Sequence, residues 1–376
     1  MVKRENIAWI DLLRVLACFL VVFSHSCDAF VASFDSDRST FLWGVFSGSL
    51  VRCSVPLFVM MSGVLIIPTN LSMPEFYKKR VGRLALPLVF WSVMLPLMFV
   101  AYLNAVGYSA SPLMSESNFS VGTAIQKAYT FIFNFNYDTT PLWYVYMLLG
   151  LYFIIPLINP WLKQATKKEL QLFLGIWFFT LFIPYIKMAA PLLGYLGNFG
   201  NMGLFGVCDW NDYGTFYYVS GFIGYLVLAY YLVKHPLEWS LKKTLAYGIP
   251  LFIIGYLITA FGFVNVQKQF PGNYAYLEIV WYFAGINVFM MTLPVFLIVQ
   301  KIDFTPKAWL KRLASFTFGI YLCHFVFVQI SYDILGNIAA LPVVFRIIGM
   351  ALLAFAVSAV LVWIMKSWRV SKIFVD

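Results

Sequence analysis

The sequence predicts an all-α protein that crosses a membrane about ten times. Hydrophobic residues make up 62% of the 376 residues and charged residues only 11%, whereas a soluble domain is roughly 45–50% apolar and about 25% charged. Long apolar runs separated by short polar connections extend along the whole chain. Because only lipid solvates so much apolar surface, these observations exclude an ordinary soluble protein.

Each apolar run in turn has the length of a membrane-spanning helix, since about 20 residues cover the roughly 30 Å hydrocarbon core. The first run follows Lys3 and Arg4 and lacks a convincing small-residue cleavage site, so it is interpreted as a retained span and not as a signal peptide. Basic clusters separate the second run from the third, the fourth from the fifth, the sixth from the seventh and the eighth from the ninth. In chain order the predicted spans are 7–30, 42–67, 84–104, 142–162, 170–190, 214–234, 244–264, 277–300, 312–334 and 342–366.

The basic residues predict the orientation of these spans. With an even number of spans, both termini and every second loop lie on one side, which collects nineteen Lys and Arg residues against four on the other. Positive residues are enriched on the cytoplasmic side, so both termini are predicted to be cytoplasmic. The net charge of +10 then reflects topology, and no nucleic-acid partner is expected. The four outer basic residues are Arg38, Lys127, Lys187 and Lys268.

The longer connections, near 105–141 and 191–213, fall on the predicted outer side and are rich in Gly, Asn, Ser and aromatic residues. Within the first, FSVGTAIQKAYTFIFNF (119–135) is compatible with an interfacial amphipathic helix or with an ordered loop that packs over the bundle. No internal repeat is evident. The sequence therefore predicts a single transmembrane domain over 1–376.

The first span, DLLRVLACFLVVFSHS (11–26), carries both Arg14 and His25. A charge within hydrocarbon needs either a partner or a task. Eleven residues place the two side chains on nearly the same helical face, roughly 16 Å apart along the axis, with Arg14 nearer the cytoplasm. This geometry suits a long donor with an anionic head and a reactive tip, the shape of an acyl-CoA thioester. Alternatively, Arg14 snorkels to the headgroups and His25 makes a helix–helix hydrogen bond.

Three more stretches, SVPLFVMMSG, KKRVGRLALP and GIYLCHF, contain or follow further polar residues, namely Arg52, Arg80, Arg83 and His324. Together with Arg14 and His25 they resemble the membrane acyltransferase-3 family, whose members carry Arg-x10-His in the first span and Arg-x-x-Arg at the third. The likeness runs from residue 7 to about residue 330. RCSVPLFVMMSGVL and LWYVYMLLGLYFIIPLI resemble the subgroup that includes the O-acetyltransferase of enterobacterial common antigen. The lack of the glutamate-rich stretch of many polysaccharide-modifying members in 142–153 favours that subgroup.

The resemblance implies a multi-span enzyme that moves an acyl group, usually acetyl, from cytoplasmic acyl-CoA to a glycan or other acceptor outside. By that resemblance His25 is the catalytic residue, and Arg14, Arg80 and Arg83 engage the donor. Guanidinium groups suit phosphate, although ordinary positive-inside anchoring also explains Arg80 and Arg83.

Two routes are open for His25. It acts as general base toward an acceptor hydroxyl, or it carries the acyl group itself. Asp28, three residues on, either orients the imidazole as the acid of a triad does or is a solvated loop residue.

Four residues are candidates for the acceptor site. Arg52 and His324 either line it or steady a developing oxyanion, unless His324 is simply a satisfied core histidine. Trp143 and Tyr144 either stack on a sugar or belong to the aromatic belt at the membrane boundary. The scattered cysteines give no spacing typical of a metal site, so no metal is expected.

The sequence thus predicts an O-acyltransferase of the bacterial inner membrane, surrounded by membrane lipids. Acetyl-CoA is the expected donor, and a surface or lipid-linked saccharide is the expected acceptor. One alternative is a transporter or channel that uses the intramembrane Arg and His residues as a proton relay; another is a protein that passes acyl groups to a separate transferase. The absence of repeats and the Arg-x-x-Arg motif weigh against transport.

Overall fold

The structure, a computed structural model, describes residues 8–114, 120–134, 136–194, 204, 213–305 and 307–376. These residues are almost all helical and contain no β-strand. In this part of the chain nine helical segments are long and apolar enough to cross a membrane, which confirms the predicted all-α polytopic membrane protein. They are Ala8–Val31, Arg38–Ile66, Met73–Val106, Tyr137–Gln164, Lys167–Leu193, Leu241–Gln269, Tyr276–Lys301, Thr317–Gly336 and Val343–Ser367.

The individual α-helices, in chain order, are α1 (Ala8–Val31), α2 (Arg38–Leu50), α3 (Ser54–Ile66), α4 (Met73–Phe76), α5 (Gly82–Val106), α6 (Val121–Thr130), α7 (Trp143–Gln164), α8 (Lys167–Thr180), α9 (Ile183–Ala189), α10 (Ile223–Lys234), α11 (Leu241–Gln269), α12 (Tyr274–Trp281), α13 (Ile286–Lys301), α14 (Ala308–Ala314), α15 (Thr317–Ser331) and α16 (Val343–Ser367). Two π-helical turns, Tyr77–Val81 and Tyr332–Gly336, join α4 to α5 and follow α15.

The predicted sixth span, 214–234, is not one continuous helix, so it is not among the nine candidate spans of the described residues. A 3₁₀ turn covers Gly214–Val219, and α10 begins only at Ile223. Between them, Gly221 has a φ of +74°, a left-handed conformation that interrupts a helix. The 12 residues of α10 extend only about 18 Å, short of the roughly 30 Å hydrocarbon core.

Near two other predicted spans the backbone departs from a regular α-helix at polar residues. The second consists of α2 and α3 with a turn over residues 51–53 that contains Arg52. The third begins earlier than predicted, because α4 continues through the π-helical turn that contains Arg80. Such wide turns inside helices occur frequently at functional sites. Hydropathy alone does not reveal either the turn at residues 51–53 or the π-helical turn.

The contacts within the chain define two compact units. The first comprises Met1–Ser54, Leu71–Ile154 and Phe304–Asp376, and the second comprises Val55–Asn70 and Ile155–Asp303. The single domain over 1–376 stays a prediction, as does the cytoplasmic position of both termini.

In the first unit, α1 packs against α2, α15 and α16. The crossing of α1 and α2 is close at Gly44, where a Cβ atom would lie 2.7 Å from the backbone nitrogen of Val31 and 2.8 Å from the backbone carbonyl carbon of Phe30. Only a residue without a side chain allows this approach. The contact holds the end of α1 that carries His25.

We expect Gly44→Ala to destabilise the protein by about 1–3 kcal/mol, the usual cost of an overpacked contact, because the added methyl group meets backbone atoms that cannot rotate away. The thermal midpoint in detergent measures this loss. Gly150→Ala is the matched control, since Gly150 lies in α7 with nothing within 4 Å of an added Cβ. Equal midpoints for the two variants would contradict the close crossing.

The connection between α5 and α7 contains a helix, α6, although residues 115–119 and 135 lie outside the described part of the chain. Ser120 caps it, because its side chain accepts a hydrogen bond from the backbone N–H of Thr123. Ala124 packs in a buried cluster with Phe99 and Phe325. The described part of the segment is therefore helical over Val121–Thr130 and packs within the first unit.

An ion pair ties α6 to the start of the fourth span. Lys127 Nζ lies 3.1 Å from Asp138 Oδ2, and the Asp138 side chain is wholly buried. For the second long connection, the predicted loop 191–213, residues 195–203 and 205–212 lie outside the described residues.

The second unit has its own buried polar contacts. Asn287 Nδ2 donates hydrogen bonds to Thr259 Oγ1 at 2.8 Å and to the Val280 carbonyl at 2.6 Å, and Trp177 Nε1 donates to the Gly221 carbonyl at 2.8 Å. None of the candidate site residues lies in this unit.

Candidate active site

All the site residues suggested by the sequence belong to the first unit, where three stretches that are distant in sequence come together. They are Arg14, His25, Asp28, Arg52, Arg80, Arg83, Trp143, Tyr144 and His324.

His25 and Asp28 form a pair on the last turns of α1. His25 Nδ1 lies 2.9 Å from Asp28 Oδ2, because residues three apart on a helix are neighbours on its surface. A carboxylate only accepts, so Nδ1 carries the proton and Nε2 presents a lone pair. The His25 side chain retains 18% of its accessible surface. Asp28 thus holds the ring in the tautomer that a base or nucleophile requires.

His324 lies beside His25, with the two ring centroids 5.3 Å apart. It is wholly buried in α15, and its Nδ1 lies 2.7 Å from the Tyr321 carbonyl oxygen. Because that carbonyl only accepts, Nδ1 is again the donor. Nε2 of His324 is buried and has no hydrogen-bond partner among the described residues.

Phe325 forms an apolar wall next to the two imidazoles. Its ring meets His25 edge-on at 5.2 Å and packs against Tyr137 at 5.1 Å. Behind it, Gln329 Nε2 donates to the Tyr137 hydroxyl at 2.9 Å, and Gln329 Oε1 accepts from the Ser111 hydroxyl at 2.8 Å. These contacts position α15 against the start of the fourth span.

Tyr144 connects to His324 indirectly. It packs edge-on against Tyr321 at 5.4 Å, and the Tyr321 hydroxyl donates to the Pro141 carbonyl. Tyr144 is buried, whereas the adjacent Trp143 is half-buried. Burial separates Tyr144 from the lipid-facing position that a belt residue occupies.

Arg14 lies at the opposite end of α1 from His25. Its Nη1 is 3.3 Å from Asp11 Oδ1, and its side chain retains 35% of its accessible surface. The pairing reduces the cost of the charge and leaves other guanidinium donors for a ligand.

Arg80 and Arg83 differ in their surroundings. Arg80 is half-buried in the π-helical turn, and its Nε is buried with no acceptor among the described residues. Arg83 follows on α5 and is exposed. A spacing of three residues places two side chains on one face of a regular α-helix, but the wider π turn changes the spacing of residues around the helix.

Arg52, the remaining candidate residue, is half-buried in the turn between α2 and α3. The third histidine, His235, lies in the second unit, where partial desolvation and then the charges of Lys167 and Lys234 lower its pKa. The described residues contain no cluster of three or more His, Cys, Asp or Glu side chains that could hold a metal.

Sequence reasoning missed the partners that fix these side chains. Asp11 and Tyr321 each lie three residues before the group they contact, so helical spacing offered a signal for both. The contacts of Phe325 and the Lys127–Asp138 pair depend on tertiary packing and had no such signal.

Comparison with known proteins agrees with this architecture. The family described as "Acyltransferase domain" matches residues 7–363. YfiQ of Bacillus subtilis (strain 168), which bears the name of a membrane-bound acyltransferase, is 24% identical over 332 residues, covering 86% of this chain and 80% of the relative. No solved structure matches the chain. Since the family match extends over nearly the whole chain, the protein belongs to the acyltransferase-3 family.

Proposed function

We propose that this protein is an O-acyltransferase of the bacterial inner membrane that moves an acetyl group from cytoplasmic acetyl-CoA to a hydroxyl of a surface or lipid-linked saccharide on the outer side. The observation that carries the proposal is the His25–Asp28 pair, in which a carboxylate 2.9 Å from Nδ1 leaves Nε2 free as a base or nucleophile. Its position on a membrane-spanning helix supports chemistry within the bilayer.

The donor is proposed to extend along the face of α1 from Arg14 toward His25. The two residues are separated by roughly 16 Å along a helix, a distance that the extended arm of coenzyme A can cover. Arg14 and the buried, acceptor-free Nε of Arg80 supply donors for its phosphates. Arg83 adds positive charge at the same predicted cytoplasmic end.

The acceptor is proposed to reach His25 from the other end. His324 and Tyr144 lie on the side of the site formed by α15 and α7, with Trp143 next to Tyr144. Arg52 is proposed to meet an anionic group of the acceptor. The resemblance of 142–158 to the common-antigen subgroup favours a saccharide hydroxyl.

We expect Arg80→Ala to weaken acetyl-CoA binding about 10- to 100-fold, since hydrogen bonds to charged groups contribute about 1.5–3 kcal/mol. Arg83→Ala should weaken acetyl-CoA binding less, because Arg83 is exposed. This loss of affinity should disappear at high salt, since salt screens exposed charges. Calorimetric titration with acetyl-CoA at two ionic strengths measures both.

Lys79→Ala is the matched control, because Lys79 is an exposed cation in the same π-helical turn. It removes one positive charge from the same surface and should leave binding almost unchanged. Equal affinities for the Arg80→Ala, Lys79→Ala and parent proteins would reduce Arg80 to a topological anchor.

The acceptor is tested by mass spectrometry of surface glycans from the parent strain and a deletion strain. The proposal predicts the loss of one acetyl increment from one glycan, restored by the intact gene and not by the His25→Ala form. A proton relay or transporter would instead leave glycan acetylation independent of His25.

A further inference from the structure

The buried Nε2 of His324 is a hydrogen-bonding group without a partner among the described residues. Its orientation is fixed, because Nδ1 on the same ring lies 2.7 Å from the Tyr321 carbonyl. A buried polar atom without a partner costs about 1–3 kcal/mol, so its persistence calls for an explanation. In this tautomer Nε2 accepts a proton and has none to donate, which disfavours a role in steadying an oxyanion.

The imidazole of His25 is held in the same way. His25 also has Nδ1 held by an acceptor, Asp28, and therefore also presents a lone pair at Nε2. The ring centroids are 5.3 Å apart and the planes differ by 39°, while the ring of Phe325 packs edge-on against His25. The site thus contains two adjacent imidazoles, each with Nδ1 held by an acceptor, although a direct transfer of an acyl group to a hydroxyl needs only one base.

We propose that the two imidazoles act in successive half-reactions, with His25 carrying the acyl group and His324 serving as the base for the acceptor hydroxyl. This inference rests on the proposed acyltransferase function and selects one of the two routes open for His25. Once the acyl group occupies His25 Nε2, that nitrogen can no longer accept a proton. A second base in ring contact then becomes necessary.

In the first half-reaction, His25 Nε2 forms a bond to the thioester carbonyl carbon and the carbon–sulfur bond breaks. The products are an acyl-imidazolium, with its Nδ1 proton held by Asp28, and the thiolate of coenzyme A. In the second, the acceptor oxygen bonds to the acyl carbon while its proton passes to His324 Nε2. The acyl–nitrogen bond breaks to regenerate His25 with its Nδ1 proton, His324 loses its proton to solvent, and the thiolate released in the first half-reaction takes up a proton from solvent. The net products are the ester and coenzyme A.

The test uses purified full-length protein, acetyl-CoA labelled in the acetyl group, and two probes that discharge the acyl group. Water requires a base to attack the acyl-histidine, whereas hydroxylamine is nucleophilic enough to attack without one. His324→Asn removes the base, and its amide N–H can still donate to the Tyr321 carbonyl. His324→Gln is the second variant and replaces His324→Asn in the test if that protein does not fold.

We expect the parent protein to release one equivalent of coenzyme A rapidly and to hold label that is absent from the His25→Ala protein. In His324→Asn this first release should persist and the label should accumulate. Its discharge to water should fall at least about 100-fold, in the range of general-base contributions, while discharge to hydroxylamine should be unchanged. A merely structural role would slow both probes equally.

Coenzyme A release without label on His25 would overturn this inference and leave the acyltransferase proposal standing. Parallel loss of release and discharge in both His324 variants would also overturn it. If the parent protein binds acetyl-CoA by calorimetry but releases no coenzyme A without an acceptor, direct transfer is the route and this inference fails. If it does not bind acetyl-CoA at all, the donor itself is wrong, and both proposals fail.

Discussion

His25→Ala should lower coenzyme A release and acyl transfer by at least about 100-fold, because a positioned base contributes about 10²- to 10⁴-fold. In the proposed reaction the residue supplies the reactive Nε2, and the alanine variant leaves the Asp28 carboxylate without its partner. Thermal stability should change little, since the imidazole is partly exposed and its hydrogen bond to Asp28 lies within its own helix. Release of free thiol from acetyl-CoA, followed over time, measures the loss.

His235→Ala is the matched control, because it removes a histidine that belongs to the second unit, which contains none of the candidate site residues. It should retain full activity. Asp28→Asn should cause an intermediate loss of activity, because the amide keeps the shape of the carboxylate but can hold the wrong tautomer of His25. Normal transfer by a folded His25→Ala protein would show that the chemistry lies elsewhere.

Lys127→Met should lower the free energy of unfolding by about 3–5 kcal/mol, the usual result of removing one partner of a buried ion pair. Asp138 is wholly buried at the start of the fourth span, and Lys127 Nζ lies 3.1 Å from its carboxylate. The substitution keeps the apolar stem but leaves the carboxylate uncompensated. Unfolding in a denaturing detergent, followed by tryptophan fluorescence, measures the change.

The double variant Lys127→Met, Asp138→Leu separates the charge from the packing. Replacing both members of a buried pair by apolar residues is often neutral or stabilising, so this protein should regain most of the lost stability. A double variant as unstable as Lys127→Met alone would mean that α6 is held by contacts other than the ion pair.

Much of the site on α1 could be predicted because helical geometry is local. The spacing of Arg14 and His25 places them at opposite ends of one helix, and Asp28 falls one turn from His25. Composition and charge likewise predicted the helical membrane architecture.

The contact between His25 and His324 was beyond such reasoning, because no period in the sequence relates α1 to α15. The same holds for the broken segment near Gly221 and for the π-helical turn at Arg80, since hydropathy measures composition and not backbone conformation. Tertiary packing decides these features.

The distribution of the two imidazoles along the chain has a consequence for biogenesis. The ribosome makes α1 first and α15 nearly last, and at 5–20 residues per second the interval between them is roughly 15–60 s. During that time neither His324 nor Phe325 has been synthesised. Under the proposed two-imidazole mechanism, transfer of the acyl group to the acceptor therefore requires a residue that the ribosome supplies only near the end of synthesis.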